Sequence, residues 1–288
     1  MNTDFAQTEV DQRAVNLTRY PLFLPEKRTF FLEGAGFFEF GTVSTAGTSL
    51  AGGFSQPIDN SIVPFFSRRI GLDANGNPQK IDYGVKLIGQ MGRQDIGVLQ
   101  VQTGDDPGVV GESFTVFRTK RRIFRQSYVG GLYTARRPGD GSSTLQSIGT
   151  DFRLATTSFL GSQNLMFGGY FLHNTNSLGI GHSSSYGLKL DYPNDRWNAG
   201  LSYRNVDRNF APALGFTLRN GYQRYIPYFN FSPRPKANRW IRRVGFTADA
   251  DLQTDPENRF LTRIWNLTVL NIDLHTQDSF SFLVIPGI

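Results

Sequence analysis

The chain has 288 residues, of which 39% are hydrophobic and only 19% charged, with a formal net charge of +6. It contains no cysteine, which excludes disulfides and thiolate metal sites, and no segment offers the about 18 consecutive apolar residues of a transmembrane helix. The mean hydropathy of −0.31 points to a water-soluble protein, yet it does not exclude a membrane barrel, whose strands dilute the apolar signal because every second residue faces water.

Abundant glycine (31), phenylalanine (25) and tyrosine (11) suit such a barrel better than a helical enzyme. The positive balance fits plain solubility. It also fits an affinity for anions such as acidic glycans, lipid headgroups or phosphates.

The first seven residues, Met1 to Gln7, show no basic region followed by an apolar stretch, so no signal peptide is visible. The expectation is a chain that starts within a longer protein. Residues Thr8 to Arg19 are polar with scattered Val10, Val15 and Leu17, which fits a short helix or an irregular segment. Pro21 and Pro25 then discourage any regular element. Thr29 to Gly34 and Phe37 to Gly41 read as short aromatic strands split by glycine, and Thr42 to Asn60 as a Gly/Ser/Thr-rich loop. Residues 1–60 are therefore expected to form a plug- or rim-like segment, and residues 61–288 a single unit of antiparallel strands.

From about Tyr83 the pattern has a period of two. In four stretches it is clearest: Ile148 to Leu154, Tyr186 to Tyr192, Trp197 to Arg204 and Val244 to Leu252. In the second, Tyr186, Leu188, Leu190 and Tyr192 oppose Gly187, Lys189 and Asp191; in the third, Trp197, Ala199, Leu201 and Tyr203 oppose Asn198, Gly200, Ser202 and Arg204. One face of each strand is wet and the other dry. Aromatics flanking aliphatics on the dry face match the girdled lipid face of a membrane barrel.

Weaker strands are predicted at Tyr83 to Gln90, Ile96 to Thr103, Phe114 to Thr119, Tyr128 to Arg136, Leu165 to Leu172, Leu214 to Arg219, Tyr222 to Phe231, Arg263 to Leu270 and Phe280 to Val284. Turn signals separate them at Asn75-Gly76, Asp105 to Gly108, Pro138 to Gly141 and Asp255 to Asn258. The predicted fold is all-β: an antiparallel up-and-down barrel of the outer-membrane type, with roughly 12 to 14 strands at meander spacing. Its expected state is truncated at both ends, because the chain stops just after the β-like run that begins at Phe280.

The stretch from Asn16 to Gly34, Asn-Leu-Thr-Arg-Tyr-Pro-Leu-Phe-Leu-Pro-Glu-Lys-Arg-Thr-Phe-Phe-Leu-Glu-Gly, is distinctive. Together with Pro64 to Leu72, Gly84 to Gly89, Ile96 to Thr103, Phe114 to Arg118 and Asn209 to Phe216, it resembles a bacterial family catalogued as domain of unknown function number 5916. The resemblance runs along essentially the whole chain. It implies an outer-membrane-type barrel that follows a periplasmic module similar to family-9 carbohydrate-binding domains, and it implies no characterised activity.

Several constellations carry candidate chemistry. Glu26, Lys27 and Arg28, followed by Glu33, form a charge cluster able to pair with Arg68 and Arg69. It is either a lumen or rim binding site or an ion-pair network that anchors the segment to the wall, the more ordinary role of charges withdrawn from water. The run Arg118, Lys120, Arg121, Arg122, Arg125, joined by Arg136 and Arg137, either lines an anion path or forms a solvated turn, with Arg118 and Arg136 at strand ends facing the lumen. Nucleic-acid binding is not expected, since no recognised fold accompanies the charge. His173, His182 and His275 lack metal-ligand spacing, and Asp73 to Asn77 lacks the later glycine and glutamate of a calcium loop. No cofactor or metal is expected.

Asp249 and Asp251 share the wet face of one strand, about 7 Å apart. That spacing permits glycoside hydrolysis, although lumen-facing acids are routine in barrels. The expected function is a passive outer-membrane barrel: a channel, a transport component or a surface platform in glycan-related physiology. Asp151, Arg153, Lys189, Asp191, Arg204, Asp249 and Asp251 would set its selectivity, with outer-membrane lipid as its expected partner and a glycan as its candidate ligand. The alternatives are a soluble exported glycan-binding sheet and part of a glycan-active hydrolase.

Overall fold

Alternation of apolar and polar residues turns most of this chain into strands. The computed structural model describes residues 26–41, 62–73, 78–105, 107–142, 144–175 and 181–284. Within them lie fourteen strands: β1 (Ile62–Val63), β2 (Ile81–Met91), β3 (Gln94–Thr103), β4 (Glu112–Arg122), β5 (Tyr128–Pro138), β6 (Leu145–Phe159), β7 (Gln163–Thr175), β8 (Ser184–Pro193), β9 (Trp197–Val206), β10 (Phe216–Thr217), β11 (Tyr222–Phe231), β12 (Ile241–Thr254), β13 (Phe260–Leu274) and β14 (Ser279–Val284). Twelve of them, β2 to β9 and β11 to β14, form one antiparallel sheet in chain order. The up-and-down meander expected from the sequence is therefore present. The described residues do not close it into a ring, because β2 and β14 remain its two edges.

Register fixes what each face carries. Leu188 lies opposite Tyr203, and Leu190 opposite Leu201; Tyr203 in turn lies opposite Tyr225. Residues paired across antiparallel strands share a face, so the dry faces join into one surface. Its side chains are open to the surroundings: Leu87 is 65% exposed, Leu188 47%, Leu201 49%, Trp265 50% and Phe282 63%. Two aromatic rows cross it. Tyr186, Tyr203 and Tyr225 form one, with ring centroids 6.1 and 4.9 Å apart. Trp197 stacks on Phe231 at 4.0 Å, and Phe231 on Phe246 at 6.3 Å, in the other. Six residues separate the rows on β9, about 20 Å along the strand, with Leu201 and Ala199 between them.

The opposite face has two parts. Over β3 to β7 it is apolar and covered. Leu99, Val101, Phe114, Val116, Leu132 and Leu172 pack there against Phe31, Phe38, Ile62, Ile70, Phe210 and Leu214. This is the buried core, and it is built by residues 26–41 and 62–73 together with the β9–β11 connection. Over β8 to β13 the same face is polar.

Two sequence expectations are corrected. Residues Thr29–Leu32 form a single α-helical turn and Ala35–Phe38 a 3-10 turn, not aromatic strands. Gly34 ends the first turn with φ +69°, and a Cβ there would lie 2.1 Å from Ile88 Cδ1. Lys86 Nζ donates to the carbonyls of Phe30 and Glu33, satisfying acceptors that a turn this short leaves open. The strand predicted over Leu214 to Arg219 shrinks to β10, which pairs with β1 rather than joining the large sheet. The Asn75-Gly76 turn and the loop from Thr42 to Asn60 lie outside the described residues.

Candidate functional site on the polar face

The candidate residues on strands fall on the face opposite the exposed apolar one, as alternation requires, with Arg118, Arg136, Asp151 and Arg153 on β4 to β6 and the others on its uncovered polar part. Arg118 and Asp151 are its most buried charges, with side chains 0% exposed. Arg118 Nη1 and Nη2 donate to Asp151 Oδ1 and Oδ2 at 2.7 and 2.9 Å. Arg118 Nε donates to the Glu39 carbonyl at 3.0 Å, and the Gly41 amide donates to Asp151 Oδ2 at 2.9 Å. The guanidinium also lies 5.3 Å from the centre of the Phe40 ring. The pair thus grips residues 39–41 against the wall. It spans β5, because β4 and β6 are not neighbours. Gly130 on β5 makes room: a Cβ there would lie 2.4 Å from Arg118 Nη1 and 2.7 Å from Asp151 Oδ1.

The N-terminal charge cluster is anchored in the same way. Glu26 binds Arg28 Nη2 at 2.8 Å and accepts from Ser67 Oγ at 2.7 Å. Arg28 also donates to the carbonyls of Ile70 and Ser67 at 2.6 and 2.9 Å, and its guanidinium sits 4.2 Å above Phe31. Arg69 donates to the Gly215 carbonyl at 2.7 Å. Glu33 lies on the exposed side, 3.9 Å from Lys86 Nζ; Lys27 is exposed and Arg68 half-buried. Burial raises the Glu26 carboxyl, but hydrogen bonds from the Arg28 side chain and backbone and from Ser67 outweigh it and hold the group below its ordinary value. The geometry is that of an anchoring network.

Further ion pairs cross the uncovered part of the face. Arg224 Nε and Nη2 donate to Asp251 at 2.8 and 2.7 Å. Lys189 binds Asp191 at 3.0 Å, and Tyr228 donates to the same carboxylate at 3.0 Å. Arg243 binds Asp273 at 2.7 Å. Nearer the covered part, Arg136 holds Glu112 by two bonds of 2.7 Å. Asn266 donates to Asp249 Oδ2 at 2.8 Å, while Asp249 Oδ1 is buried with no hydrogen bond among the described residues. Arg204 is buried on this face and Arg153 is exposed. Asp249 and Asp251 are therefore held on separate partners rather than facing one another as an acid–base pair.

The structure brings Arg118 to Asp151 and Lys189 to Asp191. It corrects the expectation that Arg118 sits at a strand end: β4 continues to Arg122, which binds Asp95 at 2.7 Å. Arg224, Tyr228, Arg243 and Asp273 were not anticipated. Alternation along β11 does put Arg224 on the face of Tyr228 and Asn230, so the signal was present. His173 Nδ1 shares a hydrogen bond with Ser184 Oγ at 2.9 Å, and among the described residues no group of His, Asp or Glu forms a metal cluster.

Comparison with family models, curated proteins and solved structures gives no match.

Proposed function

We propose that this chain is wall and inner plug of a bacterial outer-membrane β-barrel that serves as a channel, a transport component or a surface platform. The observation that carries the reading is the apolar face with exposed side chains on eleven of the sheet's twelve strands, all but β3, backed by a face of ion pairs. Exposed apolar patches on soluble monomers seldom exceed a few hundred Å², whereas a barrel in lipid requires such a band. All strands of the sheet but β14 have 10 to 15 residues, and about 9–11 suffice for a tilted strand to cross a bilayer. A barrel in lipid has no free edges, so the reading requires pairing of β2 and β14 beyond the contacts described above.

The resemblance to the uncharacterised bacterial family supports a link to carbohydrate binding or uptake. In this reading the polar residues Lys189, Asp191, Arg224 and Asp251 face the lumen and set what passes or docks there. The test is fractionation of cells producing the protein. Membranes are washed with urea and alkaline carbonate, and the pellet is run unheated and boiled on a denaturing gel. Retention with heat-dependent mobility is expected, and conductance in planar bilayers then separates a channel from a platform. Release into the wash would reject the barrel and favour a soluble sheet whose exposed aromatics dock glycans.

A further inference from the structure

The meander puts alternate connections at opposite ends of the sheet, and the two ends differ in charge. One end carries the connections 92–93, 123–127, 160–162, 194–196, 232–240 and 275–278. They hold six basic residues, Arg93, Arg125, Arg196, Arg234, Lys236 and Arg239, against two acidic ones, Asp195 and Asp278. At the other end the described connecting residues hold five acidic and three basic side chains. Arg234 is bound to Asp195 at 2.6 Å. Arg196 and Arg239 lie over the rings of Phe231 and Trp240, each at 5.5 Å. Among the described residues the side chains of Arg93, Arg125 and Lys236 form no ion pair.

At this basic end a cleft of about 600 Å³ opens where the 123–127 connection meets β6 and β7. Leu154, Leu165 and Phe167 give it an apolar wall, and Phe124, Arg125 and Thr156 border it. Leu154 and Phe167 lie opposite one another across β6 and β7 and belong to the exposed apolar face. Phe124 is 79% exposed. The cleft therefore joins a surface suited to acyl chains with an uncommitted guanidinium at its edge.

We infer that this cleft binds an anionic phospholipid, with Arg125 at the phosphate and the acyl chain along Leu154, Leu165 and Phe167. The inference rests on the membrane reading above. A purely polar anion does not use the apolar wall, and a purely apolar ligand does not use the arginine. A basic side chain near a bilayer surface favours anionic lipid by about fivefold.

The test is lipid retention. The protein is reconstituted in vesicles of equal phosphatidylglycerol and phosphatidylcholine, extracted in mild detergent, and the bound lipid is identified by native mass spectrometry. Phosphatidylglycerol is expected to be enriched about fivefold. Arg125→Glu should abolish the enrichment, Arg125→Gln should reduce it, and Arg137→Glu at the other end should leave it intact. Each variant is checked for heat-dependent gel mobility. Retained mobility with equal retention of both lipids, or an enrichment indifferent to Arg125, would overturn the lipid site alone. Binding of inorganic phosphate in lipid-free detergent with the same dependence on Arg125 would make the cleft a free-anion site and overturn it too. Loss of heat-dependent mobility in the unaltered protein would overturn both readings.

Discussion

Arg118 on β4 and Asp151 on β6 form a two-bond ion pair, 2.7 and 2.9 Å long, across the intervening strand β5. Neighbouring strands lie about 4.8 Å apart, so the pair bridges about 10 Å of sheet. Bare backbone at Gly130 lets it pass. The same two side chains hold Glu39 and Gly41, which ties the inner segment to the wall.

Breaking that pair should be costly. Arg118→Met or Asp151→Leu alone leaves a buried charge without its partner, at about 3–5 kcal/mol. The double variant should be less damaging than the two losses added together. Gly130→Ala should cost about 1–3 kcal/mol by crowding the pair. Denaturant unfolding of the refolded protein measures these differences, and limited proteolysis near residue 41 reports release of the segment. Single variants as stable as the parent would show that the pair does not anchor it.

The dry face makes an independent prediction. Leu188→Arg or Leu201→Arg places a cation in the apolar surface and should cost about 2–4 kcal/mol near the bilayer midplane. Folding yield into vesicles is the readout. Insertion of both variants at the parent's yield would mean that these strands do not meet lipid.

Acid should loosen the inner segment. Glu26 has a carboxyl held below its ordinary value of 4.5, so its contribution is complete above that value and fades as pH falls through the lower, folded one. Protease sensitivity of the 26–41 segment should rise over that acidic window. Glu26→Gln should be more sensitive at neutral pH and change less on acidification. An identical acid response in both proteins would place the sensitive group elsewhere.

The wall was legible because its signal is local. Alternation needs only neighbouring residues, and β8, β9, β11 and β12 each emerged where Tyr186, Trp197, Tyr222 and Val244 announced them. The inner segment was not legible for the opposite reason. Phe30, Phe31, Phe37 and Phe38 favour strands by intrinsic preference, but their helical turns are stabilised by Lys86 and Ile88 from β2, more than fifty positions away. Leu214 to Arg219 failed likewise, since the partner of β10 is β1. Arg118 and Asp151 were each visible as polar-face charges. Their union depends on Gly130, whose role appears only once three strands are aligned. The run at Lys120 to Arg122 looked like a turn because it is basic, yet its position opposite β3 keeps it in the sheet.

In the proposed barrel one face of this sheet meets lipid. Because the chain has no cysteine, single cysteines at Asn198, Ala199, Leu201 and Ser202 on β9 give a direct reading. Each is labelled with a nitroxide in the reconstituted protein, and its accessibility to oxygen dissolved in the bilayer is measured. A lipid-facing surface requires high accessibility at 199 and 201 and low accessibility at 198 and 202. Uniform values, or the opposite alternation, would contradict it.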